Sequence, residues 1–230
     1  QTTTIVRDCF GPSLIFVRIN YRIYHIVKKI RGQLILDHIS YRFSGGHIYG
    51  LTGINGSGKT MFLRALAGLI HLNSGEIRFD DQVLHRDMDF APNTGIIIEN
   101  MRLLPQFNAF DNLKQLGKIH GTATTADIRW ALEAVGMNKQ IETPKLKDYS
   151  LGMRQKLNIA QAIFEHQQVI LLDEPTNGLD TESVKICIQT LQDLREQGCL
   201  IILASHISDD MSQLADVRLT LDAGKLVQND

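Results

Sequence analysis

Apolar residues along this chain follow two different spacings, and the change from one to the other divides it. Through 14–23 and 33–41, Ile, Val, Phe, Leu and Tyr predominate in a way that predicts two β-strands. Ser44, Gly45 and Gly46 predict a turn, and 47–52 a third strand. From Lys59 the spacing becomes helical, with Phe62, Leu66 and Leu69 on one face and Asn73, Ser74 and Gly75 as a stop. Residues 76–79 and 82–84 predict a hairpin around Asp80 and Asp81, and 95–98 a short buried strand. A helix is expected over 126–135, capped by Thr125 and closed by Gly136. The next begins at Ser150 and sets Met153, Leu157, Ala160 and Phe164 on one stripe. Residues 169–172 form an unbroken apolar strand that runs into Asp173 and Glu174. A helix over 182–197, burying Val184, Ile188, Leu191 and Leu194, stops at Gly198 before a second apolar strand over 199–204. Leu226 and Val227 predict an edge strand. Strands without a polar face, alternating with amphipathic helices, predict an α/β fold whose parallel sheet is covered on both sides. The start of the chain and its helical middle predict subdomains attached to that sheet.

Composition narrows the class. The 230 residues carry 24 Lys and Arg against 25 Asp and Glu, a net charge of −1, so affinity for nucleic acid or anionic membrane does not come from bulk charge. No apolar run approaches the roughly 18 residues of a membrane span, and Cys9, Cys187 and Cys199 lack metal-ligand spacing. A soluble, cytosolic protein is expected. Residues 1–13 are polar, resemble no targeting signal and are expected to be an extension outside a domain over 14–230.

The segment Gly53-Ile54-Asn55-Gly56-Ser57-Gly58-Lys59-Thr60 lies between a predicted strand and a predicted helix, as a phosphate-binding loop requires. Its glycines let backbone N–H groups curl round phosphates at the positive end of a helix dipole. Lys59 would reach the β- and γ-phosphates, and the Thr60 hydroxyl would bind Mg²⁺. The strand over 169–172 delivers two acids at its C-terminal end, where parallel sheets bind ligands. Asp173 fits a Mg²⁺ holder, and Glu174 a group that polarises an attacking water. Upstream, Tyr149-Ser150-Leu151-Gly152-Met153 opens a helix with Ser150 as a good cap and Gly152 leaving room for an anion.

With these segments in this order, the chain from about 14 to 227 resembles the ATP-binding subunits of ABC transporters. Tyr149, Ser150, Leu151, Gly152 and Met153 occupy the five positions of that family's signature, keeping its serine and second glycine. Asn177-Gly178-Leu179-Asp180 resembles its D-loop, and His206 its switch histidine. Met61, after the phosphate loop, joins the nucleotide-binding set. Two positions depart. Ile30 falls where an aromatic residue stacks on adenine, with Tyr24 as a substitute, and Glu99 stands at the Q-loop position, with Gln106 further on. Glu99 is a further Mg²⁺ candidate, and with the altered signature it resembles the subgroup for bacitracin and lantibiotic export and immunity.

The resemblance implies a P-loop NTPase of the ABC ATPase type: a parallel-sheet core, an antiparallel β-subdomain and a helical subdomain over about 100–166. It implies ATP and Mg²⁺ as ligands, Glu174 and His206 as catalytic residues, and a homodimer or heterodimer whose signature residues Ser150, Gly152 and Met153 act on the partner's ATP, with Asp180 in the D-loop. It also implies a separate transmembrane permease that holds the chain at the inner face of the cell membrane, with no nucleic-acid partner. Two alternatives remain: a soluble ABC ATPase of the cluster-assembly type, and a P-loop small-molecule kinase.

Overall fold

The computed structural model describes residues 19–98, 103–138, 141–205 and 214–229. It opens with β1 (Asn20–Ile30), β2 (Gln33–Ser44) and β3 (His47–Thr52), followed by α1 (Lys59–Ala67), β4 (Ser74–Phe79), β5 (Gln82–Val83) and β6 (Thr94–Ile97). Helices α2 (Ala109–His120), α3 (Thr125–Ala134) and α4 (Leu151–Ile163) come next, then β7 (Val169–Asp173), α5 (Thr181–Glu196), β8 (Leu200–Ala204), β9 (Val217–Asp222) and β10 (Lys225–Asn229).

Two sheets form. The first is antiparallel, in the order β2-β1-β4-β5. The second, in the order β10-β9-β3-β8-β7-β6, is parallel except for β10, which pairs antiparallel with β9 at one edge. Period-two alternation sends the side chains of the parallel strands to opposite faces. Ile48, Ile97, Ile170, Leu172, Ile201 and Leu203 meet helices α2 to α5 on one face. Leu51, Val169, Leu171, Leu200 and Ile202 meet α1 and the inner face of the antiparallel sheet on the other. Buried between the two sheets, α1 is apolar on almost every side, with Phe62, Leu63, Ala65 and Leu66 essentially inaccessible.

The α/β class and the parallel core agree with the sequence reading, and the differences have local causes. β1 runs on to Ile30 because a bulge follows Ile23: His25 takes φ 45°, and Ile26 and Val27 resume the inward pattern out of step. α1 stops at Gly68 instead of Asn73, since Gly68 takes a left-handed φ of 82° and its N–H bonds back to Ala65 O at 3.1 Å, leaving Leu69 exposed. The cap of α3 is Thr124, not Thr125, in a reciprocal capping box with Asp127. α5 begins one residue earlier than expected and buries Ser183, Cys187, Thr190, Leu191 and Leu194, while Val184 and Ile188 are half-buried. Its docking is polar as well as apolar, since the Thr190 hydroxyl donates to Ala134 O at 2.7 Å. α2 and β9 have no counterpart in the sequence reading.

Candidate nucleotide site

The segment 53–58 leaves β3 at the C-terminal end of the parallel sheet and turns directly into α1. Its path requires glycine. Gly53 takes φ 149°, and a Cβ there would lie 2.4 Å from Leu221 O; Gly58 takes φ 105°, with a Cβ 2.9 Å from Ile35 O. β9 and β2 thus close on the loop from two sides. Asn55 is exposed at its crest, Gly56 takes φ 80°, and Met61 lies half-buried in the first turn of α1.

Lys59 is only 6% exposed, and its ammonium donates to Gly53 O at 2.6 Å and Ile54 O at 3.2 Å. An ammonium has three donors, so one remains for a further oxygen. Ser57 Oγ is buried with no hydrogen-bond partner among the described residues. The helices α2, α3, α4 and α5 are capped by the side chains of Asn108, Thr124, Ser150 and Asp180, whereas α1 has no side-chain cap and no acid in its first turn. The first N–H groups of α1 are therefore available to an anion. The Thr60 hydroxyl donates to Asp173 Oδ2 at 2.5 Å, joining α1 to the end of β7. Glycine cradle, uncapped helix, buried ammonium and orphaned hydroxyl fit the phosphates of a nucleoside triphosphate, and Thr60 with Asp173 could hold its Mg²⁺.

Glu174 follows Asp173 at φ 49°, with its N–H on Ala204 O at 2.9 Å. Its carbonyl accepts from Asn177 N at 3.2 Å and from Gln155 Nε2 at 3.3 Å. Sequence reading assigns Gln155 no role; its signal is its place five residues beyond the Ser150 cap, on the helix face turned toward this loop. Glu99 and His206 lie outside the described residues, one position beyond Ile98 and Ser205 at the ends of β6 and β8.

Ser150, Gly152 and Met153 belong to the start of α4. Their helix α4 packs on the sheet face opposite to α1. Ser150 Oγ caps α4, accepting from Met153 N at 3.2 Å. A Cβ on Gly152 would lie 3.1 Å from Gly178 O, so the start of α4 rests against the 174–180 loop. Asp180 caps α5, and the Ser183 hydroxyl and N–H hold its carboxyl below the usual range. Tyr149 is buried, and its hydroxyl accepts from Ala109 N at 3.1 Å, tying the signature segment to the first turn of α2. Ile30 and Tyr24 are each 38% exposed. Six residues apart, they are separated by roughly 20 Å of strand. Ile30, at the end of β1 and paired with Gln33, is the nearer to Ile35 and the loop. Tyr24 is instead engaged by the Arg78 guanidinium, 5.5 Å from its ring centroid.

A parallel sheet with a phosphate loop at its C-terminal edge and two acids at the end of a neighbouring strand defines a P-loop nucleotide-binding protein. Residues 36–177 match the ABC transporter family model. The uncharacterized ABC transporter ATP-binding protein YybJ of Bacillus subtilis is 46% identical over 89% of this chain and 93% of its own length. The bacitracin transport ATP-binding protein BcrA of Bacillus licheniformis is 35% identical over 88% of this chain and 67% of its own. The dimeric structure of the bacterial ABC transporter cassette MJ0796 superposes with a TM-score of 0.80 over 91% of this chain and 98% of its own, at 19% identity, and so shares the fold. This chain belongs to the ABC transporter family, as an ATP-binding subunit that hydrolyses ATP.

Proposed function

We propose that this subunit powers export of a peptide antibiotic through a separate membrane-spanning permease, with ATP held between two ATPase subunits. One observation supports the shared site: the phosphate loop opens into α1 and the Ser150 segment into α4, and these two helices pack on opposite faces of the sheet. A second copy turned head to tail brings its Ser150, Gly152 and Met153 to the phosphates, with Asp180 beside them. The antibiotic class rests on relatives named for bacitracin and lantibiotic transport. No helix among the described residues is long and apolar enough to cross a membrane, so the permease supplies the span and holds this subunit at the inner face. Residues 14–230 form the ATPase domain, with 100–166 as its helical subdomain.

In this reading the N–H groups of 53–60 with Ser57 and Lys59 bind the phosphates, while Thr60 and Asp173 hold Mg²⁺, with Glu99 as a further ligand. When bound there, Mg²⁺ would supply charge neutralisation on the phosphate oxygens. The Glu174 carboxylate accepts a proton from the attacking water as its oxygen bonds to the γ-phosphorus and the bond to the ADP oxygen breaks. His206 contacts the γ-phosphate. Glu174→Gln tests the reading: ATP affinity should stay, turnover should fall about 10²–10⁴-fold, and size-exclusion chromatography with ATP should detect a dimer. An active monomer would overturn it. Cells expressing the subunit with its permease should lose resistance to the exported peptide when they carry this variant.

A further inference from the structure

The loop that carries Glu174 is held from outside by a residue of another helix. Gln155 Nε2 donates to Pro175 O at 2.8 Å and to Glu174 O at 3.3 Å. Its Oε1 accepts from Asn158 Nδ2 at 3.4 Å, which keeps the NH₂ group turned toward the two carbonyls. Glu174 has reason to be held, because φ 49° is costly for a residue with a side chain.

We propose that Gln155 is a positioning residue: by fixing the Glu174 and Pro175 carbonyls, it aims the Glu174 carboxylate at the attacking water. The proposal rests on Glu174 being the general base. Gln155 stands five residues into the helix that Ser150 caps, about 7.5 Å along the axis, and Leu151 at the same end packs against Gly178 of the same loop. Gln155→Met keeps the bulk of the side chain and removes the donor; Gln155→Glu keeps its length and sets a carboxylate against the two carbonyls.

ATP turnover and ATP affinity of the full chain, each with and without Glu174→Gln, test this. Either Gln155 variant should lower kcat by roughly ten- to a hundredfold, since a base displaced by about 1 Å loses that much, with KM and nucleotide affinity within about twofold. In the Glu174→Gln background the same variants should change the residual turnover by less than about twofold, because the group they position is gone. A purely structural role would lower turnover in both backgrounds. Wild-type kcat in both Gln155 variants would overturn the proposal, as would a full additional loss in the Glu174→Gln background. Failure of both variants to fold would make Gln155 a structural residue and overturn it as well. Glu174→Gln retaining wild-type turnover by itself would instead remove Glu174 as the base, an outcome the single variant reports separately.

Discussion

At the scale of single residues, Lys59 has a task before any phosphate arrives. Its two bonds to Gly53 O and Ile54 O pull the loop closed around its own ammonium. Lys59→Ala therefore removes the clasp that shapes the cradle together with the proposed phosphate contact. Charge-assisted hydrogen bonds contribute about 1.5–3 kcal/mol each, so ATP affinity should fall by about one to two orders of magnitude. Titration with a fluorescent ATP analogue measures this, and unchanged affinity would take Lys59 out of the site. Ser150 and Asp180 likewise have structural duties as helix caps, each worth about 1 kcal/mol. Substituting either one changes stability as well as chemistry, so its activity must be read against its unfolding curve.

At the scale of elements, α4 crosses β6 where there is no side chain. A Cβ on Gly95 would fall 1.7 Å from Ala162 O, a separation no rotamer adjustment relieves. Gly95→Ala must force α4 off the sheet and should cost roughly 3 kcal/mol or more. For a domain of this size that lowers Tm by about 10 °C, measurable by calorimetry. The start of α3 carries a pH signature. Partial burial pushes the Asp127 carboxyl up, but hydrogen bonds from the Thr124 hydroxyl, the His166 ring and the Thr124 N–H outweigh it and hold the group below the usual range. A carboxyl lowered on folding stabilises the fold above its unfolded value, about pH 3.9, and that contribution fades as pH falls through the folded value. Asp127→Asn should therefore be less stable than wild type at pH 7, and the gap should close below about pH 4. Urea unfolding across that range checks the sign.

For the whole molecule, the proposed head-to-tail arrangement draws the phosphate loop of each site from one subunit and the Ser150 segment from the other. Mixing Ser150→Arg chains with Lys59→Ala chains produces heterodimers with one intact composite site. It pairs Lys59 of the first chain with Ser150 of the second. ATP-driven dimerisation, absent from either variant alone, should partly return in the mixture. Light scattering with ATP across mixing ratios would detect it, and no recovery at any ratio would count against the shared site.

The phosphate loop, the paired acids and the signature segment were legible because each is a short run whose chemistry depends on neighbours in the chain. Gly53, Gly56 and Gly58 with Lys59 and Thr60 form the cradle from one contiguous run between a strand and a helix, and a capping serine needs only the next three residues. The apolar strands were legible for the same local reason. α2 was harder to read, since the polar Asn112 and the small Gly117 interrupt its buried stripe. β9 had a signal in Val217, Leu219 and Leu221 alternating with Arg218, Thr220 and Asp222, a pattern unlike the apolar runs of β7 and β8 in the same sheet. Tertiary structure alone decided three things: that β2 and β9 close on the phosphate loop, that Gln155 reaches the Glu174 carbonyl across 19 residues of chain, and that α1 and α4 take opposite faces of the sheet. Each depends on distances between segments remote in sequence, and these are fixed by how the layers pack against one another.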